Sequence, residues 1–180
     1  NGIILCNNGT FLKTSNGGTN WSINSTGSFT RLLGVDFFNT DIGYMVAEGG
    51  SIFITSDGGN FWISQISGTT SGLFSVACPN LNYGTVVGTI GKILNTTDGG
   101  LNWNSSTYPV ESIFSQCILF QDSLNGWMGG KPYPIVRTID GGISWTEAEI
   151  DSSTYTTFPV YDIQFYNHKF GYASGGVIDC

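Results

Sequence analysis

The octapeptide Thr55-Ser56-Asp57-Gly58-Gly59-Asn60-Phe61-Trp62 is the most informative stretch of the sequence, because it recurs at a fixed interval along the chain. Copies stand at residues 14–21, 96–103 and 138–145, and the four tryptophans are separated by 41, 41 and 42 residues. The carboxylate or amide at the third position can accept backbone N–H groups across a tight turn, and the two glycines permit positive φ. The interval predicts a repeat protein with a unit of about 41 residues.

The rest of each unit repeats as well. An alternating apolar pair such as Val35-x-Phe37 predicts a strand with one face in a core. An Asx residue and then a glycine follow it, which predicts a turn in which the glycine takes positive φ. The Asx residues are Asn39, Asn80, Asp122 and Asn167, and the glycines are Gly43, Gly84, Gly126 and Gly171. A second strand after the glycine, a third before the octapeptide and a fourth at its Trp are typical of a β-propeller blade.

The composition agrees with an all-β fold class. Val, Ile, Thr, Tyr, Phe and Trp make up 71 of the 180 residues, whereas Ala, Leu, Glu, Lys, Arg, Met and Gln make up 30. We expect four-stranded antiparallel blades, roughly four and a half of them, in one segment spanning residues 1–180. The units are approximately 1–30, 31–71, 72–111, 112–158 and 159–180, and the inner strands are expected at 32–38, 73–78, 115–120 and 161–165. Gly2–Leu5 aligns with a second strand, so the first unit lacks an inner strand.

Charge and composition exclude several function classes. The net charge is −7 and 11% of residues are charged, which is not the balance of a nucleic-acid-binding protein. No apolar run reaches 18 residues, so we expect no membrane span. The chain begins without Met or a basic segment, which is typical of a mature or truncated chain. With one histidine and no CxxC spacing, we expect no metal and no cofactor.

The cysteines and the Asn-rich composition bear on compartment. Cys78 and Cys117 lie on inner strands of consecutive units, so a disulfide between them is possible, with buried thiols as the alternative. Four cysteines and low charge favour an extracellular or other non-cytosolic compartment. In a eukaryotic secretory protein, N-glycans are possible at the sequons beginning at Asn8, Asn20, Asn24, Asn95 and Asn104.

The octapeptide resembles the Asp-box (BNR-type) repeat, Ser/Thr-x-Asp-x-Gly-x-x-Trp. The longer pattern, Val-x-Phe, Gly-Tyr, Gly-x-Ile and then Thr-x-Asp-Gly-Gly-x-x-Trp, is similar to the repeat of the photosystem II assembly and stability factor family and its secreted bacterial relatives. The resemblance implies a β-propeller, and one alternative function that it implies is that of an assembly chaperone of a photosynthetic complex. We expect the box residues to be structural: Asn16, Trp21, Asp57, Trp62, Asp98, Trp103, Asp140 and Trp145.

Enzymatic functions fit the sequence less well. Sialidases also carry Asp boxes, but their sites use three arginines and this chain has only Arg31 and Arg137. Asp-box glycoside hydrolases need a pair of carboxylates, and no pair stands out from the repeated positions. A fragment of such a hydrolase remains an alternative, but we expect no catalytic residues and no enzyme.

The leading hypothesis is a non-catalytic interaction, assembly or structural scaffold. Its partner would be another protein or a second copy of the chain. Two segments depart from the repeat, at 131–134 and 152–159, and departures of this kind on one rim of a repeat protein tend to carry binding. Tyr133 and Tyr155 are the expected anchors for the partner. Tyr44, Trp127 and Tyr172, which directly follow the repeated glycine, are expected to pack between blades.

Overall fold

The computed structural model of the chain describes residues 1–107, 114–131, 135–149, 159–167 and 169–175. Five antiparallel sheets account for the strands of these residues, and the one helical element among them is the 3-10 turn Glu48–Gly50. The predicted all-β fold class is therefore confirmed.

Each sheet is one blade, and the blades follow one another in chain order. The two end blades are the smaller ones: blade 1 contains β1 (Gly2–Leu5), β2 (Thr10–Thr14) and β3 (Ser22–Ser25), and blade 5 contains β16 (Val160–Phe165) and β17 (Gly171–Gly175). Blade 2 contains β4 (Leu32–Phe37), β5 (Gly43–Ala47), β6 (Ile52–Thr55) and β7 (Ile63–Gln65), and blade 3 contains β8 (Leu73–Ala77), β9 (Gly84–Gly88), β10 (Lys92–Thr96) and β11 (Asn104–Thr107). Blade 4 contains β12 (Phe114–Phe120), β13 (Gly126–Lys131), β14 (Ile135–Thr138) and β15 (Thr146–Glu147). Within each blade, consecutive strands pair as antiparallel hairpins. As expected, blade 1 begins with the strand that aligns with β5.

A β-bulge recurs at one place in all four inner strands. The register of the inner strand with its neighbour shifts between Leu32 and Gly34 in blade 2, and between Ser115 and Cys117 in blade 4. The same shift occurs in blades 3 and 5. A bulge increases the local twist of a strand, so each inner strand leaves the hairpin register in the same way. The alternation of apolar residues does not indicate this irregularity.

The apolar side chains form a separate core at each junction between blades. One face of β5 carries Tyr44 and Val46, which pack on blade 3, and the other carries Met45 and Ala47, which pack on blade 1. Similar clusters join blade 3 to blade 4 and blade 4 to blade 5. Because strand side chains alternate between faces, every blade has a front face toward the next blade and a back face toward the previous one.

The glycine at the start of each second strand has a different role from the predicted one. Positive φ was expected at Gly43, Gly84, Gly126 and Gly171, but none of them has it. Instead, a Cβ placed on Gly43 would lie 2.7 Å from the ring of Phe37, and Gly126 and Gly171 face Phe120 and Phe165 in the same way. In blades 2, 4 and 5 the glycine is needed because the aromatic ring at the end of the inner strand lies directly on its backbone.

The box tryptophans differ in burial according to what surrounds them. Trp103 and Trp145 are buried, Trp62 is only half-buried, and Trp21 is 41% exposed. In blades 2 and 4 the Trp makes an edge contact with the inner-strand phenylalanine, as Phe120 does with Trp145 at 6.1 Å between ring centroids. Blade 1 has no inner strand among the described residues, so Trp21 lacks this cover.

The residues that directly follow the repeated glycine differ just as much. Tyr44 is buried and Trp127 half-buried, in line with the expected packing between blades. Tyr172 is 77% exposed within the described residues, so the packing expected for it stays a prediction. Its ring lies on the front face of blade 5, where no further described blade follows.

These differences predict unequal costs of removing the indole. Trp145→Ala should lower the free energy of unfolding by about 3 to 5 kcal/mol, because it leaves a cavity in the junction core. Trp21→Ala, the matched change in blade 1, should cost clearly less. Urea denaturation of both variants followed by circular dichroism would test this, and an equal loss in the two would contradict the burial argument.

Candidate functional site

The four octapeptide boxes are the most regular polar feature of the chain, and each is closed by its own side chains. In box 2 the Thr55 hydroxyl donates to Asp57 Oδ1 at 2.9 Å and accepts the backbone N–H of Gly59 at 2.9 Å. Asp57 Oδ1 also accepts the N–H groups of Asn60 and Phe61, at 2.9 and 3.0 Å. The carboxylate is thus occupied by its own turn.

The same network is present in the other three boxes. The hydroxyl-to-oxygen distances are 2.8 Å for Thr96 to Asp98, 2.8 Å for Thr138 to Asp140 and 2.9 Å for Thr14 to Asn16. Asn16 therefore accepts through its amide oxygen what the other boxes accept through a carboxylate, including the N–H of Asn20 at 3.0 Å. Both glycines of every box have φ between 70° and 89°, as the sequence predicted.

In blades 2, 3 and 4 a backbone hydrogen bond joins the octapeptide box to the Asx turn of the same blade. Gly58 N–H donates to the carbonyl of Asp41 at 2.8 Å, and the equivalent bonds in blades 3 and 4 measure 2.9 and 3.0 Å. The Asx turn is itself held by Asn39 Oδ1, which accepts the N–H groups of Asp41 and Ile42. Asn80, Asp122 and Asn167 make the same pair of bonds, which confirms that the Asx side chain bonds to the local backbone in each turn.

The hydrogen bonds to the box carboxylates lower their pKa values. For Asp57 the largest cause is the N–H of Phe61, and for Asp98 it is the side-chain amide of Asn102. For Asp140, desolvation is the largest single contribution and raises the pKa, but the combined hydrogen bonds, led by those of Ser144, lower it overall. All three groups favour the ionised form that the turn requires.

Asp36 joins two blades at their inner strands. Its Oδ2 accepts the backbone N–H of Cys78 at 2.8 Å and the Cys78 thiol at 3.2 Å, while Oδ1 accepts the N–H of Phe37. Burial, followed by the Asp36 carboxylate, raises the pKa of the Cys78 thiol, so it remains protonated and can donate. Asp36 is therefore engaged in joining blade 2 to blade 3.

The possible Cys78–Cys117 disulfide is not formed, and this prediction is corrected by the structure. Both residues are free, buried thiols. Cys78 faces blade 2, in the cluster with Tyr44 and Val76, whereas Cys117 faces blade 5, in the cluster with Val160. The two side chains point to different junctions, which is the consequence of their opposite strand parity. Burial raises the pKa of Cys117 to about 11.

Two grooves lie along the inner strands. One, of about 600 Å³, is lined by residues of β12 and β16 with Gln121 and Asn167, and Asp162 is the one carboxylate in its described lining. The other, of about 430 Å³, runs past β4, β8 and β12 and contains Asp36. Within the described residues, no group of three or more His, Cys, Asp or Glu side chains could hold a metal ion.

The remaining predicted site residues are the two expected partner anchors and the asparagines of the five sequons. Tyr133 and Tyr155 lie outside the described residues. Asn8, Asn20 and Asn104 are exposed and Asn24 is half-buried. The Asn95 amide instead accepts from Thr85 at 2.8 Å and donates to Ser106 and the Gly142 carbonyl, both at 3.0 Å. A glycan on Asn95 would break the contact between blades 3 and 4.

Three features of the structure were not predicted from the sequence. They are the burial of the box threonines, the contact of Asp36 with Cys78 and the contact of Tyr44 with Trp103. The box threonines are almost fully buried, with Thr55, Thr96 and Thr138 each 1% exposed. Their presence in every copy of the motif was the available signal. The contact of Asp36 with Cys78 and that of Tyr44 with Trp103 had no such signal, because both join residues that occupy non-equivalent positions in two neighbouring units.

These turns and sheets define the chain as an Asp-box β-propeller protein. A family model described as Photosynthesis system II assembly factor YCF48 matches residues 64–154, just over half of the chain. The chain belongs to this family. No curated protein sequence matches it at a significant level.

Solved structures share the fold at low sequence identity. YCF48 from Cyanidioschyzon merolae is 16% identical with a TM-score of 0.73, and the match covers 96% of this chain and 62% of that one. YCF48 bound to D1 peptide is 15% identical with a TM-score of 0.53, covering 96% and 86%. The GH74 xyloglucanase from Xanthomonas campestris is 11% identical with a TM-score of 0.73, covering 97% and 32%. The chain thus spans less than two thirds of the length of the Cyanidioschyzon merolae protein.

None of the helices in the described part of the chain is long and apolar enough to cross a membrane.

The lowered carboxylate pKa values predict a specific dependence of stability on pH. The ionised boxes contribute stability above the ordinary Asp pKa of about 3.9, and this is lost as the pH falls through the lower pKa of the folded state. The triple variant Asp57→Asn, Asp98→Asn and Asp140→Asn should still fold, because Asn16 already holds a box. Its melting temperature should fall less than that of the wild type when the pH is lowered from 6 to 2.

The reverse change provides the control. Asn16→Asp adds a fourth carboxylate to the same network, so its melting temperature should depend on acid pH more steeply than that of the wild type. Scanning calorimetry of all three proteins across the same pH series would measure both effects. If the melting temperatures of all three proteins fell equally as the pH was lowered, the charge of the box residues would not contribute to stability.

Proposed function

We propose that the chain is a non-catalytic, protein-binding scaffold of the assembly-factor kind. The observation that carries this proposal is membership of the YCF48 family over residues 64–154. The whole chain works as one propeller segment that holds binding loops in fixed positions. Its compartment is extracellular or otherwise non-cytosolic, as the low charge and the four cysteines favour.

The chemistry of the repeated residues supports a structural role for the boxes. Each box oxygen accepts backbone N–H groups of its own turn, and Asp36 accepts from the neighbouring blade. A binding site built from these groups would have to break the turns first. We therefore place partner binding on residues that depart from the repeat.

The proposed partner is a peptide segment of another protein. One structural neighbour, YCF48, is bound to D1 peptide, which supports a partner of this class for the present chain. We propose that Tyr133 and Tyr155 anchor the partner, because both stand in segments that depart from the repeat and aromatic side chains commonly carry binding energy. A second copy of the chain is the other partner expected from the sequence, and it would use the same anchors.

A glycoside hydrolase function is the second candidate, since GH74 enzymes share the fold. Such an enzyme needs two carboxylates about 5 to 10 Å apart across a cleft. In the described part of each inner groove a single carboxylate is present, Asp162 in one and Asp36 in the other. Since Asp36 already accepts two hydrogen bonds from Cys78, Asp162 is the residue to test for this function.

Peptide binding would test the leading proposal. D1 peptide should bind the wild-type chain, and Tyr133→Ala and Tyr155→Ala should each weaken binding about tenfold, as loss of an aromatic anchor does. Tyr166→Ala is the matched control, because Tyr166 is exposed in the Asx turn of blade 5. Affinity should change little between low and high salt, because few charged groups are available.

Titration calorimetry would measure these affinities. Absence of peptide binding, or equal binding by all three variants, would contradict the proposed anchors. Hydrolysis of a xyloglucan oligosaccharide that Asp162→Asn abolishes would place the protein among the enzymes instead.

A further inference from the structure

The Asx turns and the octapeptide boxes of blades 2, 3 and 4 form one rim of the propeller segment, which we call the turn rim. Within each of these blades a backbone hydrogen bond joins the box to the Asx turn. Between blades, a Cβ on Gly100 in box 3 would lie 3.0 Å from the Tyr44 ring of blade 2. The Asn95 amide of blade 3 donates to the Gly142 carbonyl in box 4 at 3.0 Å. The turn rim is therefore a continuous surface across three blades.

Large apolar side chains are concentrated on the turn rim. Among the described residues of blades 2, 3 and 4, twelve such side chains are exposed, and eight of them lie in the Asx turns and boxes. Leu101 is 81% exposed and Ile143 is 78% exposed, at the same position of boxes 3 and 4. Each of the three blades has a described blade on either side, so this exposure does not arise at an end of the array. Exposed apolar surface that is concentrated in this way is typical of an interaction site.

The same turns are acidic. The segments 38–42, 55–62, 79–83, 96–103, 121–125 and 138–145 contain five Asp and no Lys, Arg or His. Two cations reach them from neighbouring strands, where Lys13 donates to Asn60 at 2.6 Å and Arg137 to Asn125 at 3.3 Å. The box carboxylates keep their charge, because their hydrogen-bond donors are neutral N–H and O–H groups. The turn rim is thus apolar with an excess of negative charge, and a positively charged partner complements it.

The backbone of the turn rim restricts the form of that partner. The Gly58 N–H donates to the Asp41 carbonyl, and the N–H groups of Gly59 and Phe61 donate to side-chain oxygens of the same box. Boxes 3 and 4 repeat these bonds. Because these donors are already used, the partner has to satisfy its own backbone hydrogen bonds, as an α-helix does.

We propose that the turn rim is a second interaction surface, and that it binds a basic amphipathic helix of another protein. The apolar face of the helix lies on the exposed side chains of the boxes and Asx turns, and its Lys or Arg residues face the carboxylates. A membrane surface fits less well, because its anionic headgroups are repelled by the same carboxylates.

This surface goes beyond the proposed peptide-binding function and lies on the other rim. Lys131 and Ile135, the described residues on either side of segment 132–134, stand where β13 and β14 are joined at the end away from the Asx turn. The partner-binding segment proposed above therefore connects strands at the rim opposite to the turn rim.

A model peptide tests the proposal. The probe is a labelled helical peptide of about 18 residues with Leu on one face and Lys on the other, and fluorescence anisotropy measures its binding to the full chain. Leu101→Ser and Ile143→Ser should each raise the dissociation constant about tenfold, because each removes apolar area from the contact. Ile66→Ser is the matched control, since Ile66 is 90% exposed directly after β7 at the opposite rim and should leave binding unchanged.

Charge provides an independent measurement. Binding of the Lys peptide should weaken as the salt concentration rises, and a peptide with Glu in place of Lys should not bind. The triple variant Asp57→Asn, Asp98→Asn and Asp140→Asn should bind the Lys peptide more weakly and with less dependence on salt. Asp41→Asn should act in the same direction, and because Asp41 is exposed and outside the boxes, it separates lost charge from a disturbed box.

Failure of the Lys peptide to bind the wild-type chain would overturn the proposal. Equal binding of the Glu peptide would do the same, as would unchanged binding by both Leu101→Ser and Ile143→Ser. If the chain instead bound vesicles of equal parts phosphatidylcholine and phosphatidylglycerol, and the same two substitutions weakened that binding, the turn rim would be a membrane-binding surface. None of these outcomes depends on whether D1 peptide binds.

Discussion

The structure depends on a hydroxyl group that is almost completely removed from water. The threonine at the start of each box is 1 to 4% exposed, and a buried hydroxyl without a partner would cost free energy. It avoids that cost by donating to the Asp or Asn and accepting a glycine N–H, which fixes the turn. The fixed turn places the Gly-Gly pair and the Trp where the neighbouring blade packs. Local hydrogen bonding and the junction between blades are therefore two aspects of one arrangement.

Much of the fold could be predicted because the repeat shows each position several times. Inner strands were expected at 32–38 and 73–78, and they are observed at Leu32–Phe37 and Leu73–Ala77. The Asx turns and the box glycines also have the predicted geometry, because both follow from local residue types. A single-residue preference is enough to recognise them.

What was missed depends on neighbours rather than on local sequence. Gly43 was assigned to a positive-φ turn, but it is extended and needs its small size because Phe37 lies on it. Tyr172 shares its motif with Tyr44, but whether it is packed depends on an adjoining blade, which its local sequence does not describe. The proposed partner-binding residues are less predictable still, because a residue that departs from a repeat has no second copy with which to compare it.

Trp103 contacts an aromatic ring of the neighbouring blade rather than one of its own blade, and this affects how the blades recognise one another. Blade 3 carries Cys78 where blades 2, 4 and 5 carry Phe37, Phe120 and Phe165, and the ring that meets Trp103 comes from Tyr44 of blade 2. Chains built from near-identical repeats are prone to misassembly, because any blade could dock on any other. A blade with a phenylalanine in place of Cys78 would crowd Tyr44, and a blade without Tyr44 would leave Trp103 without its partner. Cys78 and Tyr44 therefore make the junction between blades 2 and 3 different from the other junctions. Packing between blades, and not only their order along the chain, then favours the correct neighbours.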